Sequence, residues 1–209
     1  EGVDFRSCID DSKHRFNPEK SMQVQRKLGA DLIFAFDQCL DINADYETTK
    51  ESLARTHAWE KRSLVEFKKL NQDKKQALYG IVQGGRFKDL REESAKFISS
   101  LDFDALAIGS IFGDPKEESL ELVKSALGFM PEEKTKHLLG IGTVEDIFNY
   151  VSLGLDTFDC VLPTRLARQG FVFIRPESGG SEENKFRYQI GRAKFKESSD
   201  SLDENCECY

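Results

Sequence analysis

Short apolar runs alternate along this chain with longer amphipathic stretches, and no other feature restricts its fold as much. The runs at residues 32–36, 77–82, 105–109, 137–140 and 157–162 read as buried strands, because continuous apolar character belongs to parallel strands covered on both faces. The stretches between them read as crossover helices, which predicts an α/β chain of at least four βα units.

The helices carry their own punctuation. Asn17, Pro18 and Glu19 supply a cap, a first-turn proline and an acid suited to a positive helix start, and Gly29 supplies the stop. Leu120, Val123 and Leu127 recur at helical spacing before Gly128, and Ile147, Phe148 and Val151 before Gly154; both faces are expected to pack on the sheet. Residues 46–70 read as one long surface helix with Ala54, Ala58 and Val65 on its apolar period. The first sixteen residues look irregular. After Leu162 the pattern changes to an apolar run at 171–174, a Gly179-Gly180 turn and an alternating run at 185–190, the mark of a small β-rich insertion.

The chain has 209 residues, 39% of them hydrophobic and 32% charged, which is enough to bury a sizeable core. No apolar stretch approaches the ~20 residues of a membrane span, so a cytoplasmic protein with no membrane partner is expected. Five cysteines, at 8, 39, 160, 206 and 208, lack the density of a disulfide scaffold and point to reduced thiols with a possible metal site. A net charge of −7 argues against a generic nucleic-acid binder. Yet residues 163–196 hold eight basic side chains against three acidic ones. That strip suits an RNA backbone and suits a solvated loop equally well.

Polar residues follow one predicted strand after another: Asp37, Gln83, Ser110 and Asp159. In a parallel barrel such ends converge on the face where active sites are built, so Asp37 and Asp159 are expected to share one cavity mouth. Asp159 interrupts an apolar run, and an unpaired buried carboxylate is costly enough that this strand should open onto a polar site.

Residues 158–165, Phe-Asp-Cys-Val-Leu-Pro-Thr-Arg, resemble residue for residue the nucleophile strand of the tRNA-guanine transglycosylases, bacterial type. Ala35-Phe36-Asp37-Gln38-Cys39 and Gly80-Ile81-Val82-Gln83-Gly84 resemble two further strands of that family, in the same order. The resemblance implies an incomplete (β/α)8 TIM-type barrel of about five strands over residues 1–165, and a β-rich zinc-binding insertion over 166–209. A closed eightfold barrel takes ~250 residues, so the chain is read as an internal fragment.

By the same resemblance Asp159 is the catalytic nucleophile. Asp37 reads the N1–H and amine of a guanine, since one carboxylate offers two acceptors at that spacing. Gln83 and the backbone after Gly109 serve the opposite carbonyl, with Cys39, Ser110, Leu139 and Gly140 bordering the substrate. Arg165 and Arg168 hold neighbouring nucleotides of the tRNA anticodon loop. Cys206 and Cys208 open a structural zinc site of which only two of four ligands are present; taken alone, the pair also reads as a frayed tail. The family's proton-handling aspartate is expected outside the chain. Ser110 departs from the pattern, standing where many members have a second glycine, and would be strained if the site required positive φ.

The implied activity exchanges the wobble guanine for a queuosine precursor (preQ1) or queuine through a covalent aspartyl–ribose intermediate. The implied partners are tRNA, 7-deazaguanine-type bases and a second identical subunit. Two alternatives stay open: a non-catalytic tRNA-binding partner subunit of the same fold, and an unrelated barrel glycosidase, which would need a second carboxylate near Asp159.

Overall fold

A computed structural model describes residues 1–111, 116–197 and 201. Contacts divide the chain into two units, one of Glu1–Leu139 with Tyr150–Thr157, the other of Gly140–Asn149 with Phe158–Tyr209.

The first unit opens on an antiparallel hairpin, β1 (Val3–Arg6) with β2 (Lys13–Phe16), where irregular chain was expected. Nearly all its side chains face solvent, so no buried face leaves a pattern in the sequence. Cross-strand pairing holds it instead, with the Phe5 and His14 rings stacked at 5.4 Å. Helix α1 (Pro18–Leu28) begins and ends as expected: the Asn17 side chain accepts the Lys20 N–H at 2.8 Å, and Gly29 closes it in the left-handed region.

Next come β3 (Leu32–Phe34), α2 (Tyr46–Leu70), β4 (Ala77–Val82), α3 (Lys88–Ser99), β5 (Ala105–Ile108), α4 (Lys116–Leu127) and β6 (Lys136–Leu138). Helix α5 (Val144–Val151) leads on to β7 (Thr157–Phe158). The strands form one sheet in the order β3-β4-β5-β6-β7, and its described pairs are parallel. Sequential parallel order with a helix after each strand fits an incomplete (β/α)8 barrel. Side chains alternate across this sheet. One face gathers Tyr79, Ile81, Ala105 and Ala107, with Phe34 and Leu139 packed against them. On the other face a Cβ on Gly80 would stand 2.4 Å from the Phe103 ring and 2.8 Å from Ile98 of helix α3, which is why glycine occupies the middle of β4.

Strand β4 has the predicted bounds; β3, β5 and β7 stop earlier than the apolar runs suggest, and β6 is shifted and shorter. The run at 157–162 is the clearest correction. Only Thr157 and Phe158 are strand, and Leu162 already begins α6 (Leu162–Arg168), whose Pro163 suits a first helical turn.

Helix α2 has the predicted extent but presents another face. Ala54, Ala58 and Val65 are exposed, while Leu53, Thr56, Trp59, Glu60, Ser63, Leu64 and Phe67 are buried. Helix α5 differs too: Ile147, Phe148 and Val151 are exposed among the described residues, and Tyr150 is its buried member.

In the second unit α6 precedes an antiparallel pair, β8 (Phe171–Phe173) with β9 (Arg187–Gln189), turned through a left-handed Gly179. These strands fall within the two runs of the expected β-rich insertion. No helix among the described residues is long and apolar enough to cross a membrane.

Candidate active site

After β3 the chain leaves the ladder, and helix α2 takes over its hydrogen bonds. The Phe36 N–H donates to Ser63 Oγ and the Gln38 N–H to Thr56 Oγ1, both at 3.0 Å, and Ser52 Oγ reaches the Gln38 carbonyl. Three hydroxyls on a buried helix stripe thus fix the backbone on either side of Asp37. Buried amides are almost always paired, and here the pairing aims one side chain.

That side chain meets Gln83, at the end of β4: Gln83 Nε2 donates to Asp37 Oδ2 at 2.6 Å. Gln83 is buried, its Oε1 has no partner among the described residues, and its own N–H donates to Ser94 Oγ. Gly109, at the end of β5, lies against the same amide; a Cβ there would stand 2.6 Å from Gln83 Nε2. Ser110 follows with φ 54, in the left-handed region expected to strain a serine. Its Oγ lies 3.2 Å from Cys39 Sγ and 3.4 Å from the Leu40 carbonyl. Asp37, Cys39, Gln83, Gly109 and Ser110 are therefore brought together, although three strands supply them.

The electrostatics of this cluster come from behind the sheet. Glu60 of α2 is fully buried; one oxygen accepts the Ile81 N–H at 2.8 Å, and the other has no partner among the described residues. Burial drives its pKa well above the ordinary carboxylate range, and the nearby Asp37 charge adds to the rise. Burial also raises Asp37, opposed in part by the Gln83 hydrogen bond. His57, buried and stacked on Phe97 at 4.0 Å, is pushed down to about 4, by burial first and the Lys61 charge second. It is neutral at physiological pH and shares a hydrogen bond with Ser94 Oγ.

These shifts predict a pH profile. Glu60 and Asp37 keep protons in the folded state that the unfolded chain releases, so stability falls as pH rises from the ordinary carboxylate value through the raised one. Glu60→Gln retains an acceptor for Ile81 and cannot ionise. Its melting temperature is expected to gain on the wild type as pH rises from 5 to 8; parallel thermal-melt profiles would refute the raised Glu60 pKa.

In the second unit Asp159 is exposed, and its Oδ1 accepts the Gly140 N–H at 2.9 Å. Gly140 is left-handed with φ 72, as the end of a strand turning out of its ladder requires. Arg165 and Arg168 are exposed on α6. Leu139 belongs to the first unit, half-buried against the Tyr79 and Ile81 cluster. Cys206 and Cys208 lie outside the described residues. Among those residues no group of three potential metal ligands occurs.

The family model described as queuine tRNA-ribosyltransferase matches residues 1–209. The chain belongs to that family. Curated relatives of the same name, queuine tRNA-ribosyltransferase, include proteins of Caldanaerobacter subterraneus subsp. tengcongensis, 43% identical over 210 residues, and Staphylococcus aureus, 42% identical over 210 residues. A third, from Herpetosiphon aurantiacus, is 42% identical over 209 residues. Each alignment takes in 100% of this chain and 50 to 53% of the relative, so the chain spans about half the length of the family members it matches.

Three residues of the first unit were missing from the sequence reading. Ser94 orients the Gln83 backbone, Glu60 sits behind Asp37, and Arg91 is a fully buried arginine behind Gly109 and Ser110. Glu60 did leave a signal: it falls on the same helical stripe as Leu53, Thr56, Ser63 and Phe67. Arg91 left none, standing in a charged stretch with Asp89, Glu92 and Glu93 that reads as a solvated face.

Proposed function

We propose that this chain carries the base-exchange chemistry of a tRNA-guanine transglycosylase, replacing guanine at the wobble position of a tRNA anticodon with a 7-deazaguanine-type base. The observation that carries the reading is the run 158–165, in which Asp159 is exposed just past the last strand of the sheet and held by a backbone N–H, within a chain matched throughout by one family. An exposed carboxylate oriented by a backbone N–H is fit to attack the anomeric carbon of a ribose.

An Asp159 oxygen forms a bond to C1′ as the bond from C1′ to guanine N9 breaks, and the departing base takes the electron pair and a proton. The incoming base then attacks the same carbon through its own ring position 9, loses its proton and releases the carboxylate. Two inversions retain configuration, as in retaining glycosidases. Asp37 accepts from N1–H and the amine of the base; Gln83 and the backbone at 109–111 serve its carbonyl. Loop bases are already partly unstacked and can be extruded at modest cost.

Exposed Arg165 and Arg168, beside a locally basic stretch, suit phosphate and base contacts. Cys206 and Cys208 would supply two thiolates of a structural zinc site, a metal that takes four ligands. That reading and subunit pairing rest on the family resemblance.

The test is exchange of labelled guanine into tRNA by the intact protein. Incorporation is expected into tRNA with a wobble guanine and not into the same tRNA carrying adenine there; no incorporation into either overturns the proposal.

A further inference from the structure

Arg91, on α3, is fully buried and reaches the backbone of two strand-end loops at once. Its Nε donates to the Gly85 carbonyl at 2.6 Å, and its Nη2 to the carbonyls of Gly109 at 3.0 Å and Ser110 at 2.8 Å. The planar guanidinium fork has the geometry to hold several acceptors in fixed directions, which an ammonium lacks. A buried side chain that holds three main-chain carbonyls beside a candidate pocket calls for an explanation.

The geometry supplies one. No peptide bond among the described residues is cis, so each C=O points opposite to the N–H of its own peptide unit. Drawing the Gly109 and Ser110 carbonyls toward Arg91 turns the N–H groups of Ser110 and Ile111 away from it. Neither N–H has a hydrogen-bond partner among the described residues. Two successive free N–H groups around a left-handed residue form a concavity that binds a partial or full negative charge. Ser110 holds that left-handed geometry at φ 54 although it is not glycine, and such strain persists only where neighbours over-determine the backbone. Arg91 on its carbonyl and the contacts of its Oγ with Cys39 and Leu40 are those neighbours.

We infer that Arg91 is a positioning residue that presets the Ser110 and Ile111 N–H pair to receive the 6-oxo group of the purine base. The inference rests on the proposed base-exchange reading and adds to it the device that sets preference at one edge of the base. Because the same side chain holds Gly85, the loop after Gln83 and the loop after Gly109 move as one.

The experiment compares binding of guanine with 6-thioguanine, which keeps the N1–H and the amine but offers a poor sulfur acceptor at position 6. Both affinities are measured by calorimetry on the intact protein and its Arg91→Lys and Arg91→Gln variants. The ratio of the two, taken on one protein preparation, cancels any loss of folded material, which a merely structural role would cause. Wild type is expected to prefer guanine about tenfold, the scale of one net hydrogen bond, and both variants about twofold or less. A wild-type protein that exchanges guanine while the variants keep its preference overturns the role of Arg91 alone; a wild type that binds no guanine overturns both readings. Should neither variant fold, the wild-type amide spectrum decides. Guanine is expected to shift the Ser110 and Ile111 amide protons downfield and leave the Arg91 Nε–H in place, and the reverse pattern refutes the inference.

Discussion

Asp159→Asn is expected to abolish the covalent adduct between protein and tRNA on a denaturing gel and to lower base exchange by about 10⁴-fold or more, the usual scale for loss of a nucleophile. Asparagine keeps the oxygen that accepts the Gly140 N–H, and the side chain is exposed, so the substitution removes the attacking carboxylate while keeping that contact. Exposed substitutions of this kind shift stability by about 0.5 kcal/mol or less, and tRNA affinity should hold. An adduct of normal yield in this variant would refute the nucleophile assignment; loss of tRNA binding together with the adduct would show that Asp159 anchors the RNA instead.

The parallel sheet was legible because strands covered on both faces leave unbroken apolar runs, and β4 has the bounds read from its residues. The strand ends were less so. At β3 the apolar run continues through Phe36, but Ser63 and Thr56 withdraw the Phe36 and Gln38 amides from the ladder, and hydroxyls on a helix carry no hydrophobic signal. The same cause hid the buried face of α2. A period of hydrophobicity favours Ala54, Ala58 and Val65, whereas the face that packs interleaves Leu53, Trp59, Leu64 and Phe67 with Thr, Ser and Glu side chains that bond backbone groups of the sheet. Asp37, Gln83 and Asp159 stand out as candidates because polar residues at successive strand ends are conspicuous against apolar runs. Arg91 does not, since its burial depends on two loops approaching it from different strands.

Asp37→Ala should lower kcat/KM for guanine by about 10³-fold, since a site built to accept two donors loses both acceptors and leaves the N1–H and the amine of the base unpaired. Stability should change far less. Burial already raises the Asp37 pKa, and removing its charge eases the ionisation of Glu60 behind it, so the lost hydrogen bond is offset in part. The direction of the shift supplies a second and sharper test. A protonated carboxyl cannot accept from both N1–H and the amine, so wild-type guanine affinity should fall as pH drops through the raised Asp37 pKa, above the ordinary carboxylate range. Asp37→Asn keeps the shape and one acceptor but does not titrate. Its residual guanine affinity is therefore expected to be weak and flat across the window in which the wild type declines. An acid limb that survives in the asparagine variant would assign the titration to another group, and unchanged guanine use in the alanine variant would remove Asp37 from base recognition.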